Sequence, residues 1–125
     1  MAVTSPEKLN ERYTALFRVS DLENLMTMYE PDAVLSPVPG KEMRGHAEIR
    51  AQLKQLLKLR GDLTSTQLSC VRQGDIALIQ ARWSFSGKGP TGSTVVMGGV
   101  SARVARRGAD GEWRYAIDIP ATPHT

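Results

Sequence analysis

LTSTQLSCVRQGDIALIQARWSFSGKGPTGSTVVMGGVSARVARRGADGEWRYAIDIP, residues 63–120, is the stretch whose rhythm decides the fold. From Leu63 onward apolar and polar residues alternate with period 2, as in strands that bury one face. Clusters of turn formers interrupt the alternation at Gln73-Gly74-Asp75, at Gly87-Lys88-Gly89-Pro90-Thr91-Gly92 and at Gly108-Ala109-Asp110-Gly111, and each reads as a hairpin loop. The spacing predicts four antiparallel strands of roughly ten residues, longer than strands usually run. Strands of that length suggest a strongly curved sheet wrapped over helices. Gly98-Gly99, in mid-strand, marks the expected bend or bulge.

Upstream of this stretch the period changes to that of a helix. Thr4 and Glu7 have capping-box spacing, Pro6 sits at an early helical position, and Leu9, Tyr13, Leu16 and Phe17 follow, predicting a helix from about Pro6 to Arg18. Ser20 and Glu23 repeat the cap ahead of Leu22, Leu25, Met26 and Tyr29, and Pro31 ends that second, shorter helix. Ala33-Val34-Leu35 predicts a brief strand, and Ser36-Pro37-Val38-Pro39-Gly40 a rigid loop after it. A third helix follows Gly45, with Ile49, Leu53, Leu56 and Leu57 on one face, Glu48 in its first turn, Lys58 and Arg60 in its last, and Gly61 just beyond. With no internal repeat, linker or low-complexity tract, residues 1–125 read as a single domain.

Composition narrows the function classes. Hydrophobic residues make up 41% of the chain and charged ones 23%, ordinary globular usage that argues against disorder and fibrous classes. No apolar run approaches the roughly 20 residues of a bilayer span, and MAVTSPEKLNERY lacks the apolar stretch of a secretory signal, so no membrane association and a cytoplasmic location are expected. Cys70, as the single cysteine, has no internal disulfide partner, and with His46 and His124 it forms no cluster of metal-ligand spacing. Neither a metal nor a cofactor is expected, since no phosphate-cradling glycine loop is recognisable either. The net charge of +3 is spread over scattered Lys and Arg without interleaved aromatics, which argues against nucleic-acid binding.

Four local pieces carry a family resemblance: Met28-Tyr29-Glu30-Pro31-Asp32-Ala33-Val34, Arg44-Gly45-His46-Ala47-Glu48-Ile49, Gly74-Asp75-Ile76-Ala77-Leu78 with Trp83, and Asp110-Gly111-Glu112-Trp113-Arg114 with Asp118. Over about residues 6 to 120 the chain resembles the SnoaL-like branch of the NTF2-like superfamily, related to ketosteroid isomerases and polyketide cyclases. The resemblance implies a cone-shaped (cystatin-like) α+β fold, three N-terminal helices packed on a long curved antiparallel sheet, with a cavity between helices and sheet. Members of this family include isomerases, dehydratases, epoxide hydrolases, cyclases and non-catalytic modules, so function must be argued from the pocket.

Alternation and resemblance together nominate the pocket residues. Ala77, Ile79, Ala81 and Trp83 share one strand face, where small residues opposite a large aromatic either leave space for a ligand or simply pack. Val95, Met97, Gly99, Ser101 and Arg103 share a face of the next strand, which the resemblance turns inward. An inward Arg103 needs an acidic partner or a ligand anion; otherwise it is a surface arginine near a strand end. The resemblance places Tyr13 where isomerases carry a hydrogen-bond-donating tyrosine. It places Ser36 or Pro37 at their general-base aspartate and Ser101 at their protonated aspartate, so poor steroid isomerisation is expected. Asp118 lies where many relatives carry a final-strand aspartate, here flanked by Ile117 and Ile119 rather than histidines. It either faces the cavity, where burial would raise its pKa and suit it to acid-base work, or pairs with Arg103 or Arg114. Candidate catalytic residues are therefore Asp118 and Tyr13, and candidate ligand contacts Tyr29, Trp83, Met97, Ser101 and Arg103. The expected partner is a small apolar, polyketide-like molecule, for a lyase, cyclase or hydrolase or for a module that only binds. An outer sheet face carrying Ile76, Leu78, Tyr115 and Ile117 is too apolar for a monomer, and a twofold homodimer is expected.

Overall fold

The computed structural model describes residues 3–122, so His124 lies outside the described residues. A 3-10 turn at Pro6–Lys8 runs into α1 (Leu9–Arg18), followed by α2 (Leu22–Thr27). Strand β1 (Tyr29–Val38) and the short β2 (Lys41–Arg44) form a hairpin that leads into α3 (Gly45–Leu57). The remainder is β3 (Asp62–Gln73), β4 (Ile76–Lys88), β5 (Thr94–Arg107) and β6 (Trp113–Ile119), with turns at the three breaks in the period-2 pattern. The strands make one curved, unclosed sheet in the order β2-β1-β6-β5-β4-β3, and the helices pack against one of its faces.

Several local expectations are corrected. The sheet is mixed: every neighbouring pair is antiparallel except β1 and β6, which run parallel because the last strand returns beside the first. Instead of a short strand, β1 spans ten residues and includes Pro31 and Pro37. Both prolines fall where the ladder slips, between Tyr29 and Val34 on the β6 side and between Leu35 and Val38 on the β2 side, so a missing N–H costs no bond. The helix caps also differ. Asp21, not Ser20, accepts from the Asn24 amide at 3.2 Å, and the first turn is tied by Ser5 Oγ donating to Glu7 rather than by Thr4.

Gly98-Gly99 is not a bulge, since the β4–β5 register runs unbroken through Trp83↔Gly99 and Ser84↔Gly98. What needs glycine there is close approach: a β-carbon on Gly99 would lie 3.1 Å from that of Ala121, in the segment that follows β6. The ladder slips elsewhere, at Gln67/Ser69 in β3 and at Val104/Ala105 against β6. In β6, Tyr115 pairs with Ala105 and Ile117 with Val104, leaving Ala116 as an extra residue. Tyr115 and Asp118, an odd number of positions apart, are thereby both turned inward and fully buried. Tyr115 therefore does not belong to the outer face, whereas Ile76, Leu78 and Ile117 are exposed there. Val71, Leu78, Val104, Ile117 and Val34 form a row in register across five strands of that face.

The interior is filled by Leu9, Leu25, Ile49, Leu53, Ile79 and Trp113, each essentially without solvent contact. Every such side chain contributes roughly 1.5–3 kcal/mol. No helix among the described residues is long and apolar enough to cross a membrane.

Candidate functional site

Between the concave sheet face and the helices α1 and α3 lies a cavity of about 510 Å³. Helical period supplies one wall: Asn10, Tyr13, Thr14 and Phe17 recur at i, i+3, i+4 and i+7 and all line it. From α3 come Gln52, Leu53 and Leu56, and from the sheet Leu63, Trp83, Phe85 and Met97. The walls are mostly apolar, as in small-molecule sites.

Polar groups converge at the floor, where Arg103 and Asp118 are 7% and 1% exposed. They are directly opposed in the β5–β6 register, and Arg103 Nε donates to Asp118 Oδ1 at 2.7 Å. The Tyr29 hydroxyl donates to Asp118 Oδ2 at 2.5 Å, so both carboxylate oxygens are engaged. The guanidinium carbon stands 4.5 Å from the ring centre of Tyr13 and 5.3 Å from that of Tyr115, within cation–π range of both. Tyr115 Oη is enclosed and has no hydrogen-bond partner among the described residues. Asp118 is thus both inward and paired. Its partner is Arg103 and not Arg114, whose charge is taken by Asp110 and Glu112.

The other candidates divide. Trp83 and Met97 line the cavity, and Trp83 Nε1 donates to the Pro120 carbonyl at 2.6 Å, which holds the indole across the sheet end. Tyr29 and Ser101 do not line it. Tyr29 braces Asp118 from behind, and Ser101 Oγ bonds the Ala81 carbonyl at 3.3 Å. Ser36 bonds the Val38 carbonyl outside the cavity, although Pro37 reaches the wall. His46 Nε2 donates to the Tyr29 carbonyl at 2.9 Å, pinning the start of α3 to β1. Pattern reading missed Asn10 and Ser65, which bond each other at 3.1 Å part way up the wall. The signal for Asn10 was present: it is a polar residue on the same helical stripe as Tyr13 and Phe17.

Burial pushes the pKa of Tyr13 and Tyr115 up and that of Tyr29 far up; the nearby Asp118 charge adds to the rise in each. For Arg103 burial opposes the charge, but the attraction of Asp118 outweighs it and keeps the guanidinium firmly protonated. These are all three tyrosines of the chain. A group whose folded pKa is raised favours folding below its unfolded pKa, about 10 for tyrosine, and that contribution is lost as pH rises towards the folded value. Above about pH 10 stability should fall by up to about 1.4 kcal/mol per pH unit for each tyrosine kept protonated. In an alkaline titration, tyrosinate absorbance should therefore appear together with the loss of circular dichroism. Ionisation of all three tyrosines near pH 10 in a folded chain would contradict this.

The family model of the SnoaL-like domain matches residues 10–116, and the chain belongs to that family. Its fold is that of a ketosteroid isomerase-like protein from Erwinia carotovora atroseptica (TM-score 0.81, 18% identity, 94% of each chain covered). It is equally recognisable in an NTF2-like protein with a cystatin-like fold from Novosphingobium aromaticivorans (TM-score 0.75, 19% identity, covering 91% of this chain and 77% of that one). An NTF2-like superfamily protein from Salmonella enterica serovar Typhimurium is similar as well (TM-score 0.76, 16% identity, covering 94% and 88%). Identities this low carry the fold alone. No protein of curated function matches the chain.

Proposed function

We propose that this SnoaL-like domain binds a small apolar molecule in the cavity and acts on it as a lyase, cyclase or hydrolase. The observation that carries the reading is the convergence of Tyr13, Arg103 and Asp118 on the floor of an apolar-walled space. In this reading Tyr13 and Arg103 donate hydrogen bonds to a substrate oxygen, and Asp118, braced by Tyr29, holds the guanidinium in place. The test uses Nile red, a neutral apolar dye that brightens on leaving water. One dye should bind per chain, and Leu56→Trp, which fills the cavity from α3, should weaken binding about tenfold while the fold persists, a single bulky side chain being enough to displace a ligand from so small a site. Equal binding by the variant, or none by the parent chain, would refute it. Lacking a carboxylate at Ser36, Pro37 or Ser101, the protein should not shift a steroid double bond above the buffer rate.

The exposed row of Val71, Leu78 and Ile117 supports a second element of the reading, a twofold homodimer formed across the outer sheet face. Light scattering should give twice 13.7 kDa for the parent chain and 13.7 kDa for Leu78→Glu. A parent chain of 13.7 kDa at micromolar concentration would remove the dimer. If the dimer forms but the cavity takes no ligand, the chain is a dimerisation module instead.

A further inference from the structure

Cations that lie apart in the sequence are gathered by the fold. Where the C-terminal ends of α1 and α3 meet beside β4 there is an open hollow of about 670 Å³, lined by Arg18, Lys54, Lys58 and Arg60. Its floor is apolar, made by Leu57 and by Phe17, Leu56 and Phe85, three side chains that it shares with the cavity wall. Four positive charges exceed the net +3 of the whole chain, so the rest of the surface is close to balanced.

None of the four cations forms a salt bridge among the described residues. The acids nearest in sequence are engaged elsewhere. Both carboxylate oxygens of Asp21 accept from Asn24, and Glu23 is paired with Arg50. Asp62 stands opposite Ser86, on the sheet face away from buried Leu63 and Phe85. A helix C-terminus favours a nearby cation, which accounts for one on each helix. Four in one hollow repel one another, a cost that a bound anion removes. Arg18 is also held in place, since its Nε donates to the Leu63 carbonyl at 2.9 Å, and a fixed guanidinium plane suits the paired oxygens of a phosphate. A carboxylate would answer one of the four charges, whereas a phosphate monoester brings nearly two at pH 7. We propose that this hollow binds a phosphate-bearing amphiphile, its phosphate among the four cations and its apolar chain along Phe17, Leu56, Leu57 and Phe85.

The test titrates n-octyl phosphate, n-octanol and inorganic phosphate separately into the full chain at pH 7, below micelle formation, and follows amide shifts. Octyl phosphate should bind at least about tenfold tighter than either of the others, because it alone uses both floor and cations. It should shift Ser20, Lys54 and Gly61, which line this hollow and not the cavity. Lys54→Gln/Lys58→Gln, at two exposed positions, should weaken it about fivefold. Lys8→Gln/Lys41→Gln changes the net charge equally, ahead of α1 and at the sheet edge opposite β3, and should leave binding unaltered. If octanol binds as tightly, or the two double variants behave alike, the inference falls. Shifts confined to Trp83, Met97 and Arg103, which line the cavity and not this hollow, would overturn it and leave the proposed function standing. If octyl phosphate moves no residue the site falls, and sedimentation with phosphatidylglycerol vesicles, lost in Lys54→Gln/Lys58→Gln, would assign the cations to a lipid surface instead.

Discussion

Asp118→Ala should lower stability at pH 7 by about 3–5 kcal/mol, because it leaves the Arg103 guanidinium buried without a counter-charge. Arg103 is only 7% exposed, and among the described residues its one hydrogen bond to a charged group runs to Asp118 at 2.7 Å. The Tyr29 hydroxyl would lose its acceptor at the same time, adding an unsatisfied buried donor. An aspartate facing an apolar cavity with no cation nearby would behave in the opposite way, and its removal would leave the protein equally or more stable. The register of β5 against β6 decides the sign by setting Arg103 directly opposite Asp118. Replacing both members, as Arg103→Met/Asp118→Leu, should recover most of the loss, since a well-packed apolar pair substitutes for a buried ion pair at little cost. Urea unfolding followed by circular dichroism measures both, and a single variant as stable as the parent would show that the pair does not hold the floor together.

Gly61→Ala should cost about 3 kcal/mol, near the top of the range for overpacking. A β-carbon at residue 61 would lie 2.2 Å from the Ser86 carbonyl oxygen, 2.6 Å from the Phe85 ring and 2.7 Å from the Gly87 α-carbon. Two of those atoms are backbone near the C-terminal end of β4, which is paired there with β3 on one side and β5 on the other and has little freedom to move. The crossing is tight because Lys88 N–H donates to the Leu59 carbonyl at 2.8 Å, fastening the end of α3 to the strand. Gly74→Ala is the control: Gly74 has φ +60° but nothing within 4 Å of an added carbon, so it should show only the strain of a left-handed residue, about 1 kcal/mol. Thermal melts of the two variants should differ by several degrees in this order.

Gly61 also shows where pattern reading succeeds for the wrong reason. A glycine just past a helical pattern predicts a left-handed helix end, and α3 does stop short of Gly61, though already at Leu57, with Lys58 and Arg60 beyond its last turn. The left-handed residue, however, is Arg60, with φ 45°, and Gly61 is needed for contact with β4. Helices and the four long strands were legible because each buries one face, and burial writes its period into the chain. Alternation set Met97 and Arg103 on one strand face for the same reason, whereas it was the resemblance that turned that face inward. Tyr115 and Asp118 could not both be placed so, since the extra residue at Ala116 resets the alternation and no glycine or proline announces it. The reach of β1 through two prolines was hidden as well, because only the neighbouring strands determine where a missing N–H is tolerated. Asn10 escaped because a polar residue on an apolar stripe has no meaning until the space beside it is known to be open.

The parallel pairing of β1 with β6 has a consequence for how the chain reaches this state. Hairpins β3–β4 and β4–β5 close across short loops and can form early, whereas β6 must find a strand that left the chain before most of it existed. Tyr29 and Asp118, 89 positions apart, meet only when that docking is complete. The rate at which the floor appears should therefore be that of the slowest, least local step of folding. A chain stalled before it would hold a formed meander and an open cone, with the guanidinium of Arg103 still in water.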